Sequence, residues 1–146
     1  PRRAPPPPPG SAADGAGAPR LGASGRLLVV EDDYFVGLTI EGALAEAGHE
    51  VIGLVTSGEE AVDAALARRP DLVLMDIRLA GEMSGVEAAL QLRGHGIACL
   101  FASAHSDAAT RAAGAQAQPA GWLVKPFSQA ELIAAVADAL AGVRGG

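Results

Sequence analysis

Glu31, Asp32 and Asp33 in a row, a single acid at Asp76, the hydroxyl of Ser103 and the ammonium of Lys125 are the side chains of this sequence best suited to chemistry. Each follows a short apolar run: LLVV before Glu31, LVLM before Asp76, CLFA before Ser103 and WLV before Lys125. Carboxylates gathered at one place repel one another. A hard divalent cation relieves that repulsion and takes oxygen ligands from them. Lys125 is the only lysine beside ten arginines, and a compact ammonium on a flexible stem suits a point contact with one phosphoryl oxygen better than a planar guanidinium does. Singly, each residue has a plainer reading. Asp33 can cap a helix, Ser103 can close a turn and Lys125 can be surface charge. Their common position after apolar runs is what argues for a shared site.

The elements that must position these residues alternate along the chain. Leu27 to Val30 reads as a strand, and Tyr34 to Ala47 carries Val36, Ile40, Ala43, Leu44 and Ala47 at helical spacing, ended by Gly48. Val51 to Val55 is a second strand, and Ser57 with Glu60 predicts a capping box opening a helix that runs to Pro70. Leu72 to Met75, Ile97 to Ala102 and Gly121 to Val124 are further strands. Gly85 to Leu92, Asp107 to Ala117 and Ser128 to Ala141 are further helices, the last with a capping box at Ser128 and Glu131. Strands that are continuous apolar runs are buried on both faces, which predicts a parallel sheet covered by helices on both sides, a doubly wound (βα)5 fold. In such sheets ligands bind beyond the carboxyl ends of the strands. Glu31, Asp32, Asp76, Ser103 and Lys125 all fall there.

Composition narrows the function. Seven of the ten prolines lie in the first 19 residues, and residues 1–25 lack apolar periodicity, so this stretch is expected to be disordered. Residues 26–142 make one domain, with a flexible tail at 143–146. Residues 27–146 hold 16 acidic and 7 basic side chains, a net −9. That balance, with few aromatics, argues against nucleic-acid binding. Arg2 and Arg3 precede a proline run rather than an apolar one, and no apolar span is long enough for a membrane helix, so a cytoplasmic protein without membrane contact is expected. Cys99 is the only cysteine and sits in an apolar run, as a buried thiol would. No G-x-G-x-x-G or P-loop follows the first strand; acids stand where phosphates would need amides.

The segments LLVVEDD, DLVLMD, FASAH and WLVKPF resemble the four signature stretches of bacterial two-component response regulator receivers, the CheY-like family. The resemblance covers about residues 26 to 142 and implies a flavodoxin-like sheet of order 2-1-3-4-5. It implies that Asp76 is the phosphoacceptor, Glu31 and Asp32 the acidic pair, Ser103 the switch hydroxyl and Lys125 the conserved-type lysine. It further implies Mg2+ held by Asp32, Asp76 and the backbone carbonyl of Arg78, with Glu31 acting through water. The Ala104 backbone amide joins Ser103 and Lys125 in meeting phosphoryl charge. Trp122 falls at the switch aromatic, with a plain packing residue as the alternative. The implied partners are a histidine kinase or histidine phosphotransfer protein upstream and a protein bound through the face of helix 4, strand 5 and helix 5 downstream.

The expected role is therefore a signalling protein rather than an enzyme, a single-domain response regulator in a phosphorelay. The terminal receiver of a hybrid histidine kinase is the alternative, since the chain starts at Pro1 with a linker-like stretch. A Mg-dependent aspartyl-phosphate hydrolase of the haloacid dehalogenase type would need a second Asp two residues after Asp76, where Arg78 stands. The chain departs from the receiver pattern at Ala80 and Ser84, where a proline and a glycine are usual. The glycine arrives one later, as Gly85, so a loop one residue longer is expected after Asp76. Arg78 and His105 stand where side chains overlook the phosphoryl group.

Overall fold

The computed structural model describes residues 24–105 and 107–145. Of the stretch 1–25 read as disordered, residues 1–23 lie outside the described residues, as do Ser106 and Gly146. Five strands alternate with five helices: β1 (Arg26–Val30), α1 (Tyr34–Glu46), β2 (Glu50–Val55), α2 (Gly58–Arg68), β3 (Leu72–Asp76), α3 (Gly85–Gly94), β4 (Cys99–Ser103), α4 (Ala108–Ala115), β5 (Gly121–Val124) and α5 (Gln129–Gly145). The sheet order is β2-β1-β3-β4-β5 with every neighbouring pair parallel, the doubly wound 2-1-3-4-5 arrangement.

The apolar runs are central because both their faces are covered. Leu27, Val29, Leu72, Leu74, Leu100 and Ala102 pack with Ile40 and Leu44 of α1 and Leu132, Val136 and Leu140 of α5. The alternate residues Leu28, Val30, Val73, Met75 and Phe101 pack with Ala61 and Ala65 of α2 and Ala88 and Leu92 of α3. The period-2 alternation of side chains thus splits each strand between two cores. Burying each large aliphatic side chain contributes about 1.5–3 kcal/mol.

Local signals explain most helix ends. The Asp33 carboxylate accepts from the backbone N–H of Phe35 and Val36 and so caps α1, while Gly48 at φ 98° ends it in the left-handed region. At α2 the predicted box forms only in part. Ser57 Oγ accepts from Glu60 N, but the Glu60 carboxylate reaches back past Ser57 N to Thr56 N and Thr56 Oγ1. A reciprocal box forms instead at Ser84 and Glu87, ahead of α3. The one at Ser128 and Glu131 forms as predicted. Residues 143–145, read as tail, continue α5: the Arg144 guanidinium there donates to Ser24 O and reaches Asp71 at 3.4 Å, tying the last turn to the start of β1.

Candidate functional site

Parallel register puts the strand ends in one row. Val30 lies beside Met75, Asp76 beside Ala102 and Ser103 beside Val124, so Glu31, Asp76, Ser103 and Lys125 emerge on the same edge of the sheet. Asp76 and Ser103 are the last residues of β3 and β4 rather than the first beyond them. The ladder therefore holds their backbones, and both are buried, at 8% and 1% exposure. Glu31 is buried too, at 3%. A carboxylate that far from water needs partners.

Lys125 supplies them. Its Nζ donates to Glu31 Oε1 at 2.6 Å and to Asp76 Oδ2 at 3.2 Å. The other oxygen of each acid takes a backbone amide: Asp33 N donates to Glu31 Oε2, and Arg78 N donates to Asp76 Oδ1. Burial works against the Lys125 charge, yet the hydrogen bond it donates to Glu31 and the charges of Asp76 and Glu31 outweigh it and hold the ammonium above its ordinary range. Asp32 stays exposed beside them. Partial burial, followed by its hydrogen bond with Glu31 and the Glu31 charge, pushes its carboxyl above the usual range.

Oxygens of Glu31, Asp32 and Asp76 lie within 4.8 Å of one another. An all-oxygen donor set of this charge fits a hard divalent cation, which would relieve the repulsion among the three carboxylates. Lys125 neutralises part of the cluster without closing off Asp32.

The loop after Asp76 folds away from this cluster onto α2. Ala80 pairs with Ser57 in an isolated parallel bridge, Met83 N donates to Glu59 Oε2, and Gly81 turns at φ 89° above the Glu59 carboxylate. The chain then returns tightly, with Gly85 N donating to Ile77 O. A Cβ on Gly85 would lie 2.0 Å from Asp76 O and 2.8 Å from Ile77 Cα. Gly85 is therefore the residue that lets α3 start directly behind Asp76.

The other candidates are spread around the rim. Ser103 Oγ accepts from His105 N at 3.0 Å, the turn hydroxyl of the plainer reading. Ala104, His105 and Arg78 are exposed beside the rim. Trp122 is not at the rim: its indole lies beneath α4, edge-on to Phe101. Glu59 and Gly58, which brace the loop, were not singled out from sequence, because their partners are 22 or more residues away. The same holds for the exposed pair Tyr34 and Phe35, at 55% and 79% exposure, which read as ordinary helix residues but stand at the start of α1 next to the acidic cluster.

The family model described as response regulator receiver domain matches residues 27–137. The chain is similar to the transcriptional regulatory protein PdtaR of Mycobacterium tuberculosis, 35% identical over 122 residues, covering 82% of this chain and 58% of that protein. It is similar to the phyllosphere-induced regulator PhyR of Methylorubrum extorquens, 32% identical over 116 residues, covering 78% and 43%. The chain thus spans only about half the length of these curated relatives. Among solved structures, the signal receiver domain of a modulated diguanylate cyclase from Desulfovibrio desulfuricans superposes with a TM-score of 0.77 at 32% identity, over 84% of this chain and 98% of that one.

Proposed function

The chain belongs to the response regulator receiver family, and on that premise we propose that Asp76 accepts a phosphoryl group from phosphohistidine on a histidine kinase or histidine phosphotransfer protein. The observation that carries this reading is the Lys125 ammonium joining Glu31 and Asp76 next to a third carboxylate at the carboxyl edge of the sheet. An Asp76 carboxylate oxygen attacks phosphorus, the P–N bond to the donor imidazole breaks, and the imidazole keeps the electron pair and takes up a proton. The product is an acyl phosphate.

Asp32, Asp76 and the Arg78 carbonyl are the ligands proposed for Mg2+, with Glu31 acting through water; the ion supplies charge neutralisation for the transferring group. Lys125 moves one of its contacts from the Asp76 carboxylate to a phosphoryl oxygen. The Ser103 hydroxyl and the Ala104 amide donate to the others, so that the chain's own contribution is positioning and electrostatics. Exchange of the Ser103 hydroxyl from His105 N to the phosphoryl group is the local event that a protein partner on the face of α4, β5 and α5 would read, with Trp122 between β5 and α4. Tyr34 and Phe35 offer the donor protein an apolar foothold beside Asp32.

The net −9 of residues 27–146 favours protein partners over nucleic acid for this domain. Among the described residues no helix is long and apolar enough to cross a membrane. A cytoplasmic location is the one the proposed phosphodonors require. The reading concerns the receiver and holds alike for a free-standing regulator and for the terminal receiver of a hybrid kinase. It is tested by Mg2+-dependent labelling with a small phosphodonor such as acetyl phosphate. The parent should take up one acid-stable, base-labile phosphoryl group, and Asp76→Asn should take up none. Labelling that persists in Asp76→Asn overturns the proposal.

A further inference from the structure

Trp122 lies in a slot of closely matched parts. Register sets it beside Phe101, with the rings 5.5 Å apart at 67°. Above it runs α4, an eight-residue helix whose one buried residue is Gly114. A Cβ on Gly114 would stand 2.6 Å from Trp122 Cζ3, 3.1 Å from Cη2 and 3.4 Å from Phe101 Cε2, so the helix rests on the indole with only a hydrogen atom between them. One turn earlier on the same face of α4, the Arg111 guanidinium lies over the Trp122 ring, 4.5 Å from its centroid. The indole is thus held on an edge by Phe101, beneath the Gly114 backbone and under a cation. Its buried Nε1 has no hydrogen-bond partner among the described residues, so packing rather than a polar contact keeps it there.

The rest of α4 explains why this matters. Ala108, Ala109, Arg111, Ala112 and Ala113 are all short or solvent-facing. A helix with so little buried surface has small intrinsic stability and depends on its few tertiary contacts. From these contacts we infer that Trp122 is a fixed seat for α4 rather than a two-position gate. Phe101, Gly114 and Arg111 lock the indole inward, and α4 keeps its place on β5 whether or not Asp76 is phosphorylated. Outward rotation of the indole would break all three contacts together and leave α4 without its buried residue. Signalling through this face then depends on the rim turn at Ser103, Ala104 and His105, just before α4, and on the exposed Val124 edge of β5. The phosphorylation arm of this inference rests on the receiver reading; the seat itself does not.

Trp122 is the only tryptophan of the chain, so its emission reports the seat directly. The experiment uses the full chain and measures acrylamide quenching of that emission together with hydrogen exchange of amides 111–117. Both are followed before and after Mg2+ and beryllofluoride, and attachment of the mimic is read separately by 19F NMR. The parent should show weak quenching that does not change when the mimic attaches. Gly114→Ala should raise quenching severalfold and speed exchange of 111–117 by about tenfold or more, with β1 and β3 unaffected. Arg111→Gln should do the same to a smaller degree, and it decides the matter if Gly114→Ala does not fold. A severalfold rise in quenching of the parent on mimic attachment overturns the inference, as do variants that leave quenching and exchange at parent values. If the mimic never attaches, the receiver reading fails, and the variants alone decide the seat.

Discussion

Replacing Lys125 by Met keeps most of the side-chain volume and removes one charge from the centre of the site. In the parent its ammonium touches Glu31 at 2.6 Å and Asp76 at 3.2 Å, and those acids are 4% and 10% exposed at the side chain. Without it, three carboxylates whose oxygens lie within 4.8 Å of one another lose the ammonium that bonds Glu31 and Asp76. Removing one partner of a buried pair costs about 3–5 kcal/mol, and because Lys125 is itself 22% exposed the lower end, about 3 kcal/mol, applies here. The fold should survive, since domains of this size hold roughly 5–15 kcal/mol. Urea unfolding in EDTA at pH 7 should show the loss, with an unchanged slope. The loss should shrink on adding Mg2+, which restores positive charge, so that Mg2+ stabilises Lys125→Met more than the parent. Labelling of Asp76 should fall by about 10²-fold or more, the scale of losing one charge-stabilising donor. A variant as stable as the parent in EDTA, or one indifferent to Mg2+, would refute the electrostatic account of this cluster.

Gly85→Ala should cost about 1–3 kcal/mol or more by urea unfolding and slow Asp76 labelling, because the added Cβ meets backbone at Asp76 O and Ile77 Cα and cannot rotate away. Gly42→Ala, in the middle of α1 with nothing near its Cβ, is the control and should stabilise by about 0.5–1 kcal/mol. In metal-free protein Asp32→Asn should raise stability at pH 7, because the folded Asp32 carboxyl is held above the ordinary 3.8. The stability that goes with its proton is present below that value and is lost as pH rises through the raised one, so the difference between variant and parent should vanish in acid. The same variant should lose most of the stabilisation by Mg2+, which in the parent reaches about 1.4 kcal/mol at ten times the dissociation constant. For Lys125 the sign leads to high pH: its ammonium is held above the usual lysine range, so its contribution is complete below about 10.4 and is lost only as pH rises through the raised value. A melting temperature that falls between pH 7 and 9 by loss of this contact would contradict that assignment.

Local chemistry carried much of this molecule. Apolar runs without alternation specified strands covered on both faces, and Asp33, Gly48, Ser128 and Glu131 marked helix ends through bonds made within a few residues. The acids, the hydroxyl and the lone lysine were legible for the same reason, since in a parallel sheet the residue after each apolar run must emerge on one edge. The strand ends were read one residue early at Asp76 and Ser103, where the ladder holds polar side chains that hydropathy alone assigns to loops. The extent of α5 was likewise missed, because Arg144 is tied by Ser24 and Asp71 from distant parts of the chain.

What the sequence determined by itself was which chemical groups stand at the strand ends and that Lys125 differs in kind from every arginine. Tertiary structure decided how they combine. The 2.6 Å contact between Lys125 and Glu31 spans 94 residues, the loop after Asp76 turns toward Glu59 rather than over the acids, and Trp122 lies under Gly114 and Arg111. Each depends on distances between elements remote in sequence, set by packing two cores against one sheet, and no local pattern of residues encodes those distances.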